Sequence, residues 1–169
     1  ELEVTVPQVY FGELTNDYVV VNTDEQEFDY PMGEELQTTK YQGTAGIKLN
    51  FLNKVLYSIR EGSFKLLVSG GVNSDSKIII NRNIMDRVNK IAPFLSYDDD
   101  PYAVVVNGKI YYIIDGYTTT KYFPYAEPFN ENANYIRNSF KVIVDAYNGD
   151  VDYYIVDEKE PLVETYSKI

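Results

Sequence analysis

Three consecutive carboxylates, Asp98-Asp99-Asp100, are the densest chemical feature of the sequence. With loop carbonyls they supply the oxygen donors that Ca²⁺ takes. Ca²⁺ is the only cofactor the sequence suggests, and no other is expected. The spaced Asp/Asn pattern of a calcium loop, with its Gly and distal Glu, is missing, and consecutive Asp side chains rarely converge on one ion. The alternative is a solvated turn ahead of Pro101. A second pair, Asp145 and Asp152, falls on facing strand positions if Tyr147 pairs with Asp150. Two carboxylates flanking a cleft are what glycoside hydrolysis uses. Without a cleft, like charges directly opposite need a neutralising partner such as Lys141.

Aromatic residues form the next constellation. Tyr117, Tyr122, Phe123, Tyr125 and Phe129 alternate with Thr and Pro. Exposed, they would make a platform for sugar or peptide; packed, they would cover the end of a sheet. Arg82, Arg87 and Arg137 are three of four arginines. Tyr117, Tyr122, Tyr125 and Arg137 are the expected ligand-binding residues, with a carboxylate ion pair as the competing role for Arg137. Gly43-Thr-Ala-Gly46 leads toward a helical pattern whose N-terminus could accept an anion. It lacks the Lys-Ser/Thr ending of a phosphate loop.

The composition removes several chemistries. There is no His and no Cys. Most catalytic triads, most zinc sites, thiolate nucleophiles and the commonest general base are excluded within this chain. No catalytic residue is assigned, and the balance leans away from an enzyme. Twenty-six acids against 15 bases give a net charge of −11, which repels phosphate backbones and argues against nucleic acid as a partner. No run approaches the roughly 20 apolar residues that span a bilayer. The chain opens at Glu1 rather than Met, and reads as a piece of something longer.

The elements that must position these residues centre on Pro101–Asp115. Asn107-Gly108 lies between two runs of β-branched and aromatic residues, the pattern of a hairpin with a type I′ turn. Both faces of this hairpin are apolar away from Lys109, which predicts a place in the middle of a sheet, covered on both sides. Asn148-Gly149 predicts a second such hairpin. It would place Phe140, Val142, Val144, Ala146, Val151, Tyr153 and Ile155 on one face.

Upstream, Val9–Gly12 and Tyr18–Val21 read as short strands, and 23–46 as a long polar excursion. Ile47, Phe51, Leu52, Val55, Leu56 and Ile59 share one helical face, with Lys48 and Lys54 turned to solvent. Phe64–Val68 is a short segment of either type. A second long helix runs from a cap at Asn73 or Ser74 to about Ala92, carrying Ile80, Ile84, Val88 and Ile91, and Pro93 stops it. Lys121–Tyr125 reads as extended. Glu160-Pro161 opens a last helix. The fold class is α+β: an antiparallel sheet built on two Asn-Gly hairpins, with helices from about 46–92 packed on one face. Residues 1–169 are expected to form a single soluble domain or domain fragment.

Longer runs carry a resemblance. Val9-Tyr-Phe-Gly-Glu13, Tyr18-Val-Val-Val-Asn-Thr23, Glu27-Phe-Asp-Tyr-Pro31, Lys90-Ile-Ala-Pro-Phe-Leu95, Asp100-Pro-Tyr102, Tyr135-Ile-Arg-Asn-Ser139 and Val144-Asp-Ala-Tyr-Asn-Gly149 stand in unbroken order across nearly the whole chain. In them the chain resembles uncharacterised protein family 0182, large bacterial multi-pass membrane proteins. The resemblance implies a segment excised from such a protein, lying on the extracytoplasmic side of the cell membrane, and it carries no catalytic residue. The function expected is a non-enzymatic interaction or assembly module. Its partners would be the rest of its own membrane-embedded chain, a second copy in a homo-oligomer, or a cell-envelope component. The alternative is a carbohydrate-binding or carbohydrate-cleaving module using Tyr faces and Asp carboxylates.

Overall fold

The computed structural model describes residues 3–32 and 35–168. It combines helices with antiparallel sheets, an α+β fold. The chain divides into two compact units, one of Thr15–Arg82 and one that joins the N-terminal segment up to Leu14 with the chain from Asn83 onward.

In the 15–82 unit the elements follow as β1 (Val19–Val21), β2 (Glu27–Met32), β3 (Glu35–Thr39), β4 (Ile47–Lys48), α1 (Phe51–Arg60), α2 (Lys65–Val68) and β5 (Lys77–Ile79). β1, β5 and β4 make a three-stranded antiparallel sheet in that order, and β2 pairs with β3. Leu49, Leu66 and Ile78 form the core, with Tyr18, Val20 and Tyr57 packed against it.

The expected long helix from Asn73 is a correction. Ile78-Ile79-Ile80 is β-branched throughout and prefers extended backbone. Lys77–Ile79 accordingly pairs with both β1 and β4. Asn73 does cap backbone donors, but those of a turn: its Oδ1 accepts from the amides of Asp75 at 2.8 Å and Ser76 at 3.1 Å. Asn81, at φ 50°, separates the strand from any following helix. The Gly43–Gly46 stretch is a second correction. It enters β4, and α1 starts later, on an Asn50 side chain that accepts from the Asn53 amide.

The other unit carries α3 (Ile84–Ile91), β6 (Ser96–Tyr97), β7 (Tyr102–Val106), β8 (Lys109–Thr120), β9 (Tyr135–Asp145), β10 (Val151–Ile155) and α4 (Pro161–Tyr166). Its antiparallel sheet runs β10-β9-β8-β6, with β7 also paired to β8. Asn107 and Gly108, at φ 51° and 77°, form a two-residue turn that sets Val106 opposite Lys109. The hairpin is not buried on both sides, however. β7 lies at the sheet edge, with Tyr102, Ala103 and Val106 exposed, and β8 is the interior strand.

The second hairpin differs from expectation in register. Val144 faces Val151 and Phe140 faces Ile155, so residues 146–149 form a four-residue loop. The Gly149 amide donates to the Asp145 carbonyl at 2.8 Å. The shift is by two residues, which keeps each side chain on its expected face because the pleat repeats every two. Phe140, Val142 and Val144 are buried accordingly.

Of the expected helices in 46–92, only α3 belongs to this unit, and α1 and α2 belong to the other. α3 lies over the Phe140–Tyr153 face. The Tyr97 and Tyr153 hydroxyls, 3.1 Å apart, both reach the Val88 carbonyl, and Tyr97 also donates to Ala92. They add hydroxyl donors to carbonyls at the end of α3 that also accept from the Ala92 and Leu95 amides. Burial, helped at Tyr97 by its hydrogen bond to Tyr153, pushes both phenols above their ordinary range. At the other end of the chain, Glu160 caps α4 and Pro161 is its first residue.

Candidate functional site

Two kinds of surface are built from these elements. The first is a shallow polar groove of about 470 Å³ beside β6 and β8, lined among others by Asp98, Asp99, Tyr117, Thr119, Phe129 and Asn130. Asp98 is committed within it. Its Oδ1 accepts from the Asp100 amide, and its Oδ2 accepts from the Tyr117 hydroxyl at 3.0 Å. That hydrogen bond, followed by burial, raises the Tyr117 phenol above its usual value. The three aspartates thus form a turn braced on β8. Among the described residues, no group of three or more His, Cys, Asp or Glu is placed to hold a metal ion.

Of the four expected ligand-binding residues, Tyr117 alone lines this groove. Tyr122 and Tyr125 project into solvent from the loop after β8, where Lys121 Nζ stands 5.2 Å from the Tyr122 ring. That loop is not extended over Lys121–Tyr125. It is folded around Asn134, whose side chain accepts from the Phe123 amide and donates to the Phe123 and Ala126 carbonyls. Phe123 stacks on Tyr135 with centroids 4.4 Å apart. The aromatic stretch therefore splits, with one ring packed and Tyr122, Tyr125 and Phe129 open. Arg137 donates from both Nε and Nη2 to Asp157 Oδ2, at 3.0 and 2.7 Å, so it forms the ion pair. That partner raises the guanidinium pKa and holds Asp157 below the usual carboxylate range.

Asp145 and Asp152 do not face each other. Asp152 lies opposite Ile143. Asp145 is buried, and its Oδ1 accepts from the amides of Tyr147 and Asn148 at 2.7 and 2.9 Å. It closes the loop between β9 and β10.

Lys141 pairs instead with Asp115 across β8 and β9, and Asn138 donates to the same carboxylate. The Lys141 hydrogen bond holds the Asp115 carboxyl below its ordinary range. Between the folded and unfolded pKa values the folded form binds fewer protons, so this stabilisation is present above about pH 4 and is lost as the pH falls further. Because the pair is partly exposed, its contribution is below about 1 kcal/mol. In urea titrations, the stability gap between wild type and Asp115→Asn should narrow from pH 7 to pH 3. A constant gap would assign no role to this ionisation.

The second kind of surface is apolar. A groove of about 420 Å³ lies between α3 and α4, lined by Ile91, Phe94, Phe140, Ile155, Val163 and Tyr166 among others. The larger feature is α1. At about 100° per residue, Phe51, Val55, Ile59, Leu52 and Leu56 fill an arc of about 140°. This amphipathic face was expected to be buried, with Lys48 and Lys54 in water. Lys48 is exposed as expected, but the apolar face is turned outward: Phe51, Leu52, Leu56 and Ile59, with Phe64 and Val68 beside them on and before α2, are 53% to 81% exposed.

The inner side of α1 is polar. Its buried residue is Ser58, whose Oγ finds no hydrogen-bond partner among the described residues. Lys54 reaches the Val72 carbonyl at 2.8 Å. Periodicity located the stripe, but it carries no information on which side of the helix the core lies.

Comparison with known proteins defines the class first. A family model described as Uncharacterised protein family (UPF0182) matches residues 1–169, and the chain belongs to that family. A UPF0182 protein of Alkaliphilus metalliredigens is 56% identical over 170 residues, covering 100% of this chain and 18% of that protein. Those of Clostridium botulinum (strain Kyoto / Type A2) and Pelotomaculum thermopropionicum are 55% and 53% identical, with 99% and 100% of this chain covered and 19% of each relative. The chain thus spans about a fifth of the length of the curated relatives it matches. No solved structure matches. Among the described residues no helix is long and apolar enough to cross a membrane.

Proposed function

We propose that this chain is a non-enzymatic contact module of a larger membrane protein, on the extracytoplasmic side. The observation that carries the reading is the outward apolar face of α1. A ten-residue helix that turns Phe51, Leu52, Leu56 and Ile59 to water while burying a serine is built the wrong way round for an isolated unit. Contiguous exposed apolar surface of this kind marks an interaction site. Burying one such side chain is worth about 1.5–3 kcal/mol, so water is the least favourable neighbour for the face. The occupants open to it are the rest of the module's own chain, a second copy, or a component of the envelope. The relatives, five times longer, supply ample chain for the first.

The carbohydrate alternative draws on Asp98, Tyr117 and Phe129 in the polar groove, while Tyr122, Tyr125 and Arg137 lie outside its lining. No single observation carries it.

The test is the reactivity of Ile59→Cys toward a bulky water-soluble maleimide. The residue is exposed and the 169-residue sequence has no other Cys. In the full-length protein in its native membrane, labelling should be slower than in the segment 1–169 by about tenfold or more, the protection that some 1.4 kcal/mol of coverage gives. Equal rates would overturn the reading.

A further inference from the structure

The face on α1 and α2 has a charge pattern as well as an apolar one. Residues 47–68 hold four bases, Lys48, Lys54, Arg60 and Lys65, against the single acid Glu61. The remainder of the chain is left with 11 bases and 25 acids. A net positive segment therefore stands in a strongly negative protein, at the place where the apolar side chains are exposed.

The positions matter as much as the count. On the helical wheel, at about 100° per residue, Arg60 falls just outside the Leu56 edge of the apolar arc, where it also pairs with Glu61 at 3.3 Å, whereas Lys54 is turned inward to the Val72 carbonyl. Lys48 and Lys65, both exposed, lie at the approach to α1 and on α2. Long basic side chains at the margins of an apolar stripe can lay their stems along it and hold their charges at its rim. An amphipathic helix with Phe, Leu and Ile on one face and Lys and Arg at its borders has the pattern of one that lies in the plane of a bilayer interface. A protein partner would need only the apolar face. The basic rim adds an attraction specific to an anionic surface, and the rest of this acidic chain would be repelled by one.

We propose that α1 and α2 dock this module on the surface of a bilayer rich in anionic phospholipid, with Phe51, Leu52, Leu56 and Ile59 inserted at the headgroup boundary. The inference rests on the reading of the module as a contact element and names the occupant of its face. The geometry supplies both parts of a two-signal association, a shallow apolar wedge and a cationic border. Neither α1, at ten residues, nor α2, at four, is long enough to span. The segment therefore lies on the membrane rather than crossing it.

The experiment places an environment-sensitive fluorophore on Leu56→Cys in the full-length protein, in a background lacking other cysteines. The protein is reconstituted into phosphatidylcholine vesicles with phosphatidylglycerol and, in parallel, nitroxide-labelled lipid. A blue-shifted emission that the labelled lipid quenches is the expected result. Arg60→Gln and Lys65→Gln should each weaken the quenched fraction by about fivefold, the effect of one surface charge near an anionic leaflet. A blue shift without quenching would show protein covering the face, whether the same chain or a second copy. It would overturn the lipid assignment and leave the contact reading standing. Emission typical of water would overturn both. Quenching indifferent to phosphatidylglycerol and to the two charge variants would remove the anionic specificity, and with it this proposal.

Discussion

Gly116→Ala should cost about 3 kcal/mol or more, a large share of the stability of a unit this size. Gly116 sits on β8 directly opposite Phe140 on β9. A Cβ built there would stand 2.0 Å from Phe140 Cε2 and 2.3 Å from Cζ, so the ring lies flat on the glycine. Phe140 is itself buried, edge-on to Tyr97 at 6.0 Å and tilted against Tyr153 at 6.2 Å. Apart from the side that borders the groove between α3 and α4, the ring is held by the two phenols that serve the α3 carbonyls, so relieving the overlap means repacking them. Ser139, the unpaired residue of the bulge that follows, meets Thr118 through buried hydroxyls 2.9 Å apart, which pins the strand from below.

The measurement is urea unfolding, where the midpoint should fall without a change in slope. The Phe140→Ala background separates the cause. Gly116 is outside the left-handed region, so the overlap is the whole of its penalty. Once the ring is gone, Gly116→Ala should be nearly silent. An undiminished cost in that background would exclude the ring contact as the reason.

Gly149→Ala should be nearly as damaging, for two reasons that add. Gly149 closes the β9–β10 loop at φ 70°, a conformation that costs an L-residue about 1–2 kcal/mol. A Cβ there would also stand 2.5 Å from the Phe11 ring. Phe11 is buried, its amide donates to the Ala146 carbonyl at 2.9 Å, and the Arg87 guanidinium lies 4.8 Å from its ring centroid. Arg87 Nε donates to the Gly149 carbonyl at 2.6 Å, so moving the loop disturbs the arginine as well. Burial lowers the Arg87 pKa, partly offset by the nearby Asp150.

Overlap adds about 1–3 kcal/mol to the dihedral penalty. Removing the ring with Phe11→Ala should therefore relieve only part of the Gly149→Ala loss, in contrast with the pair on β8 and β9. Complete relief would show that the backbone angle carries no strain. No relief would show that the ring is not the obstacle.

What was legible in the sequence was local. Asn107-Gly108 demanded positive φ at two successive residues between two strand-forming runs, and the turn with its register follows from that alone. Pro93 ended α3 and Pro161 began α4, because a missing N–H and a fixed φ act within one turn. Period-two alternation assigned the faces of β9 and β10 correctly even though the loop is two residues longer than expected. The family likeness was equally legible, being carried by residue identities alone.

Tertiary structure decided the rest, because it depended on distant partners. Ile78-Ile79 became strand once β1 and β4 were there to pair with it. Arg137 became half of an ion pair because the fold brings Asp157, 20 residues away, to its guanidinium. Gly116 is required by a ring on the neighbouring strand that no pattern within β8 encodes. Above all, the period of α1 marked an apolar side without saying where that side points. Burial is decided by what the rest of the molecule places against a helix, and here the polar side received the core while the apolar side received none of it.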